Sequence, residues 1–378
     1  MSNIGSDKIY LDHAATTPLD PEVLAAMTEV MSGSYGNPSS IHSMGRKSRI
    51  LIENARRTIA DTINSSIGEI YFTSSATESN NSIIRAAVRD LRVKRIISAK
   101  SEHHCVLNSV LSFQKEVDVK FLSLDLQGNI NYSELESLVS EFPNETLVSL
   151  MHVNNEIGTM LDLQKVADIC SNYNAFLHTD AVQSLGKFGI DVQATKINFL
   201  SGTAHKINGP KGCGFVYING DTKVGPLMYG GSQERNMRAG TENLYGIVGL
   251  GKTLEIWNNN REERMEHILK VRNIFKNELL ESGKDVNFMG NQDKLFAPHV
   301  LSVCIPKDIK SEMIMMNLDI AGICASAGSA CSSGSEHESH VLEAIDADRN
   351  RKVVRFSFSY MTTEDDVKNA AEKFISII

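Results

Sequence analysis

Thr146-Leu147-Val148-Ser149-Leu150-Met151-His152-Val153, Ala175-Phe176-Leu177-His178-Thr179-Asp180 and Lys196-Ile197-Asn198-Phe199-Leu200-Ser201-Gly202 decide the fold. Each is a short apolar run that ends in a polar cluster: Asn154-Asn155-Glu156 after the first, Asp180 closing the second, Ala204-His205-Lys206 after the third. A helical pattern at Leu163–Asn172 separates the first two, and a further strand-like run, Gly214–Ile218, follows the third. Upstream the same alternation holds. The run 69–74 precedes a helical stretch from Thr77 to Leu91, and 95–100 precedes one from His104 to Lys115. Strands alternating with helices predict βαβ units and a mostly parallel sheet. In such sheets ligands bind beyond the carboxyl ends of the strands, where these polar clusters fall.

The chain has 378 residues, enough for two or three domains at about 150 residues each. Hydrophobic residues make up 42% and charged residues 22%, ordinary globular usage, which excludes collagenous and disordered classes. A formal charge of −8 offers no basic field, so no nucleic-acid partner is expected. No apolar run is long enough to span a bilayer, so no membrane partner is expected. The first residues lack the basic and apolar regions of a signal peptide. The 6 cysteines are too sparse for a disulfide framework and form no CxxC pair, which fits a reduced, cytoplasmic setting.

After long helical stretches from Thr241 to Leu280 the pattern restarts. A strand-like run at 297–305, a helical one at 311–322, a Gly/Ser/Ala/Cys-rich loop at Ala325–Ser335, a strand at 351–359 and a helix from Thr363 make a second, smaller α/β unit. The expected division is a large domain at 10–255 and a small one at 256–378 that also takes in 1–9.

Several groups admit both a chemical and a structural reading. Thr73–Glu78 joins a strand to a helix through small and hydroxyl residues. It suits an anion at the helix N-terminus, or is an ordinary N-cap. Asp180 and Gln183 at a strand end could serve a protonated ring nitrogen or cap a helix. His103 and His104 also follow a strand. Lys206 lies among small residues between two strands, where partial desolvation favours a neutral amine and Schiff-base chemistry. The alternative is a surface-turn lysine. The GxxxxGK[ST] spacing of a phosphate loop is absent. Cys331 sits on the small-residue loop, which cannot pack a core, so its thiol is expected to be accessible, as a reactive thiol must be. Cys324, Cys331, His337 and His340 could instead hold zinc in a non-catalytic scaffold, but the C-x6-C spacing matches no usual zinc pattern, so no metal is expected. Arg355 could fork onto a carboxylate or make a structural ion pair.

Taken together, Tyr10–Pro18, Gly36–Ser40, Phe72–Asn80, His152–Gly158, His205–Gly212, Gly230–Thr241 and Ser326–Ser335 resemble the cysteine desulfurases. These are class-V aminotransferases of the nitrogen-fixation and iron–sulfur-assembly type. The resemblance implies the aspartate-aminotransferase-like fold type I with pyridoxal 5'-phosphate as cofactor. It makes Lys206 the lysine that holds the cofactor and Asp180 the partner of its ring nitrogen. Gln183 bonds its phenolic oxygen, and His103 stacks on the ring and handles the substrate thiol proton. Ala76, Thr77, Thr203 and His205 seat the phosphate, and Thr241 reaches the phosphate of a neighbour in a homodimer. Asn155, also counted beside the cofactor, and Arg355 hold the carboxylate of L-cysteine, and Cys331 takes the sulfur as a persulfide, leaving L-alanine. A sulfur-acceptor protein, such as an iron–sulfur scaffold, is the implied partner. Selenocysteine lyase, or another pyridoxal-phosphate-dependent lyase, is the neighbouring activity on the same fold. One departure stands out: Ser201-Gly202-Thr203-Ala204-His205-Lys206 replaces the family's common Ser-Gly-His-Lys, with Thr203 keeping a hydroxyl.

Overall fold

Adjacent apolar residues along each strand face opposite sides of the central sheet, as the pleat dictates. In the computed structural model, which describes residues 8–328 and 339–378, Ile96, Leu147, Phe199, Val216 and Ile218 join one core. Their neighbours Ile97, Val148, Leu200, Phe215 and Tyr217 join the other. Burial on both faces explains why these strands read as nearly continuous apolar runs.

The strands in chain order are β1 (Ile9–Tyr10), β2 (Ile70–Thr73), β3 (Arg95–Ala99), β4 (Asp118–Leu122), β5 (Thr146–Ser149), β6 (Phe176–Asp180), β7 (Phe199–Thr203), β8 (Gly214–Ile218), β9 (Asn287–Phe288), β10 (Val300–Pro306), β11 (Ile323–Cys324) and β12 (Arg351–Ser357). The large sheet has the order β2-β8-β7-β6-β5-β3-β4. Its β4, β3, β5, β6 and β7 are mutually parallel, and β8 runs antiparallel to both β7 and β2. The expected α/β architecture with a mostly parallel sheet is therefore present. The strand expected at 146–153 ends at Ser149, yet the N–H groups of Leu150 and His152 still donate to the carbonyls of His178 and Asp180. The chain stays laced to β6 up to the polar cluster.

A smaller antiparallel sheet, β12-β10-β9, is covered by Phe275 and Phe374, with the Phe275 and Phe356 rings 4.7 Å apart between centroids. The expected series of long helices is one helix, Leu244–Glu281, broken at Asn260 (φ −129°, ψ 17°). There the Asn260 side chain donates to the Ile256 carbonyl at 2.9 Å, occupying an acceptor that the helix backbone would use.

The N-terminal segment crosses between the two sheets. Ser357 N–H donates to the Leu11 carbonyl and Ala14 N–H to the Ser357 hydroxyl at 2.8 Å, fixing the segment to β12. Thr17 N–H donates to the His205 carbonyl, and Asn208 N–H to the Thr17 hydroxyl at 2.7 Å, fixing it to the turn that carries Lys206.

Candidate active site

A cavity of about 240 Å3 opens at the carboxyl ends of β3, β5, β6 and β7. It gathers Ala76, Thr77, His103, Asn155 and Asp180 with Gln183, Thr203, His205, Lys206 and Arg355. Thr241 is exposed near the head of the helix Leu244–Glu281 and does not line this cavity. Cys331 and His337 lie outside the described residues. Cys324 is in the β1–β11 pair, and His340 Nε2 donates to the Glu102 carbonyl at 2.8 Å while stacking on His104.

One end of the cavity is an anion seat. Ser75, extended at φ −173°, caps the helix Ala76–Arg89, and its hydroxyl accepts from Glu78 N–H. The first N–H groups of that helix, at Ala76 and Thr77, have no partner within it and carry the positive end of its dipole. A Cβ on Gly214 would stand 2.8 Å from the Ser75 carbonyl carbon, so a glycine lets β8 pass beneath this turn. Glu78 would oppose an anion here, but Arg238 forks onto it at 2.7 and 3.0 Å. Thr203 and His205 line the cavity on the β7 side. Burial, reinforced by Lys206, lowers the His205 pKa to about 4, so that ring is neutral.

Asp180 ends β6. Its carboxylate accepts from Val182 N–H at 2.9 Å and from the Asn80 amide at 2.7 Å, which fixes its orientation. His103 caps the helix His104–Ser112, its Nδ1 accepting from Cys105 N–H at 3.2 Å. Burial lowers its pKa, against the pull of Asp180 and with the push of Lys206. Behind it, Glu102 is buried and accepts from Met151 N–H at 2.7 Å. Burial holds its carboxyl well above the usual range.

Lys206 Nζ donates to the carbonyls of Ala14 and Ala15, both at 2.6 Å. The Gln183 amide donates to the same Ala14 carbonyl at 3.0 Å, and its oxygen lies 3.2 Å from His299 Nε2. Arg355 spends its fork on Asp12, at 2.9 Å, and on the backbone carbonyl of Asn155, at 3.0 Å, while its buried Nε has no partner among the described residues. Asn155 thus meets Arg355 through its main chain.

Asp12, the Ala14 and Ala15 carbonyls, Asn80 and Cys105 belong to this arrangement and carry no role in the sequence reading. Asn80 had a legible signal: it stands one turn beyond Ala76, on the helix face that bears the anion seat. An anion seat, a fixed carboxylate, an imidazole and a lysine amine round one cavity fit pyridoxal phosphate. The seat could take its phosphate, Asp180 its ring N–H, His103 its ring face and Lys206 its aldehyde carbon.

The fold and site have the composition of a pyridoxal-phosphate enzyme, and the family model described as aminotransferase class-V matches residues 9–370. Cysteine desulfurase IscS of Dictyoglomus turgidum is 39% identical over 376 residues, covering 98% of this chain and 94% of that protein. A solved structure described as a NifS-like protein superposes with a TM-score of 0.90 at 34% identity, covering 98% of this chain and 99% of the other. Another, described as SspA in complex with cysteine, superposes with a TM-score of 0.81 at 31% identity, covering 94% and 99%. The chain belongs to the class-V aminotransferase family and, within it, to the cysteine desulfurases, whose cofactor is pyridoxal phosphate.

Proposed function

We propose that this chain removes the sulfur of L-cysteine onto Cys331 as a persulfide, releases L-alanine and hands the sulfur to an acceptor protein. The observation that carries this reading is the convergence of Lys206, Asp180, His103 and Arg355 on one cavity, in a chain that matches the desulfurases along 98% of its length. Bound pyridoxal phosphate supplies an electron sink beside the substrate α-carbon. The anion seat holds the phosphate, and Asp180 accepts the ring N–H. Arg355 and Asn155 orient the substrate carboxylate. The Lys206 amine, held on the Ala14 and Ala15 carbonyls when unbonded, takes and returns the α-proton. His103 manages the proton of the substrate thiol.

The Cys331 thiolate then attacks the substrate sulfur. A sulfur–sulfur bond forms, the carbon–sulfur bond breaks, and its electron pair stays with the carbon fragment. That fragment gains a proton and leaves as L-alanine. Enzyme thiol plus cysteine thus becomes enzyme persulfide plus alanine, with no outside oxidant or reductant.

The same reading makes the enzyme a homodimer in which Thr241 serves the neighbour's phosphate, divides the chain near residue 255, close to the Asn260 break, and locates it in the cytoplasm. The five described cysteines are all free, which supports a reducing compartment. Among the described residues no helix is long and apolar enough to cross a membrane.

The test is L-alanine formation from L-cysteine, together with mass spectrometry of the Cys331 peptide. The wild-type peptide should gain one sulfur atom. Cys331→Ala should lose desulfuration by about 100-fold or more, the usual scale for a missing nucleophile or acid–base group. Undiminished alanine formation in that variant removes the persulfide route.

A further inference from the structure

We infer that Cys105 is a positioning residue for His103: its thiol donates to Nδ1, keeps the imidazole neutral with its proton on Nε2, and links it through Asn80 to Asp180. The inference rests on the proposed role of His103 as the group that handles the substrate thiol proton.

The direction of each link follows from the donors available. Cys105 N–H lies 3.2 Å from His103 Nδ1, and a backbone N–H can only donate, so Nδ1 carries no proton. The Cys105 Sγ stands 3.0 Å from the same nitrogen, which makes sulfur the second donor. Sulfur in turn accepts from the Asn80 amide nitrogen at 3.2 Å. The other hydrogen of that amide goes to Asp180 Oδ2 at 2.7 Å. Rotating the amide would set its oxygen against the Asp180 carboxylate, so the orientation is forced. Asn80 is fully buried, and its own oxygen has no partner among the described residues. The Thr77 hydroxyl also bonds the thiol, where sulfur has a lone pair to receive it.

This thiol is a donor and not a second nucleophile. Burial, with the nearby Asp180 charge, pushes it up to about 12, so it stays protonated through the working range. Nδ1 is taken, and Nε2 is the ring nitrogen left for the cavity. Putting a proton on Nδ1 would oppose it to both the Cys105 amide and the thiol. A hydrogen bond to the neutral form disfavours the charged one. The other groups that face His103 are Asp180 from β6, Lys206 from the turn after β7, His104 on its own helix and His340 from the helix His340–Ala344. Asp180 favours the charged ring, while burial and the three bases oppose it.

The test uses the full-length, cofactor-loaded protein labelled with 15N-histidine. The His103 ring shifts report its tautomer and its titration, and kcat and KM are followed against pH. Wild type should show the Nε2–H tautomer. Cys105→Ala should raise the pH at which His103 takes up a proton by about 0.7 units, the worth of one ordinary hydrogen bond. It should move the acid limb of kcat by the same amount, with KM nearly constant. Cys105→Ser, which returns a donor to the same place, should restore both. Should Cys105→Ala not fold, Cys105→Val fills the volume without a donor and makes the same comparison. An unmoved His103 titration in the donor-free variant overturns the inference, as does a folded Cys105→Ser that titrates like the donor-free variant. The ring titration is read without reference to sulfur transfer, so it separates this inference from the fate of Cys331.

Discussion

The two walls of the cavity are built on opposite plans. The carboxylate wall is made of side chains that bond one another: Asp180 to Asn80, Asn80 to Cys105, Cys105 to His103. These come from strand ends and helix starts that adjoin one another in the large sheet. The amine wall is made mostly of main chain, with one carboxylate. Lys206 rests on the Ala14 and Ala15 carbonyls, Gln183 on the Ala14 carbonyl, and Arg355 on Asp12 and the Asn155 carbonyl. Three of its four supports come from a segment some 190 residues away from Lys206 in the chain. A wall of linked side chains sets protonation states, because each donor constrains the next. A wall of carbonyls accepts amines without holding one particular proton, which suits the role proposed for Lys206.

The difference is open to attack at three points. The largest effect belongs to Lys206→Ala, which removes the amine while leaving both walls standing. Turnover should drop by about 1000-fold, and the near-visible absorption of the loaded protein should vanish after dialysis against a competing amine. A full band in that variant would place the cofactor linkage elsewhere. Asp12→Asn comes next. Arg355 is 2% exposed and its Asp12 partner 17%, so the pair is nearly dry. Losing the Asp12 charge leaves a buried guanidinium less well held, an imbalance of the kind that costs about 3–5 kcal/mol when a buried ion pair is broken outright. Asparagine keeps one acceptor, so about a tenfold rise in KM for cysteine is expected, with kcat changed less. A kcat effect larger than the KM effect would mean that the N-terminal segment acts on the chemistry through Lys206 and not on substrate binding through Arg355.

The same contrast governs what could be read from the amino-acid sequence. The carboxylate wall lies at the ends of runs such as 95–100 and 175–180, whose apolar pattern marks strands and whose last polar residues mark the sheet edge. His103, Asp180 and Lys206 follow from that rule, and the helix Leu163–Asn172 and strand β8 fall where the pattern places them. The amine wall left no such trace. Ala14 and Ala15 act through carbonyl oxygens, which every residue has, and the contact spans the chain. Cys105 was hidden for another reason: a cysteine at the start of an apolar helical run looks like packing until Asn80 is brought beside it. Strand β4 went unread because it lies on the sheet edge. Its residues are mostly half-buried, and Lys120 interrupts the run, as charged residues do at protected edges.

The smallest expected effect concerns charge behind the amine wall. Lys187 is buried there, donating to the Gln183 carbonyl at 3.3 Å, and no ion pair to it occurs among the described residues. Burial, with the charge of Lys206, lowers its pKa from 10.5 to about 7. Between pH 7 and 10.5 the unfolded chain carries the proton and the folded chain does not, so stability rises with pH across that window. The penalty of burying this amine is complete below pH 7 and gone above 10.5. Lys187→Met keeps the volume and removes the titration. It should raise the thermal midpoint by a few degrees at pH 7, and the gain should shrink steadily as the pH approaches 10. A gain that is constant with pH would mean that Lys187 keeps its ordinary proton affinity. The amine wall would then hold two full positive charges, and carbonyl acceptors alone could not explain how Lys206 is freed to act as a base.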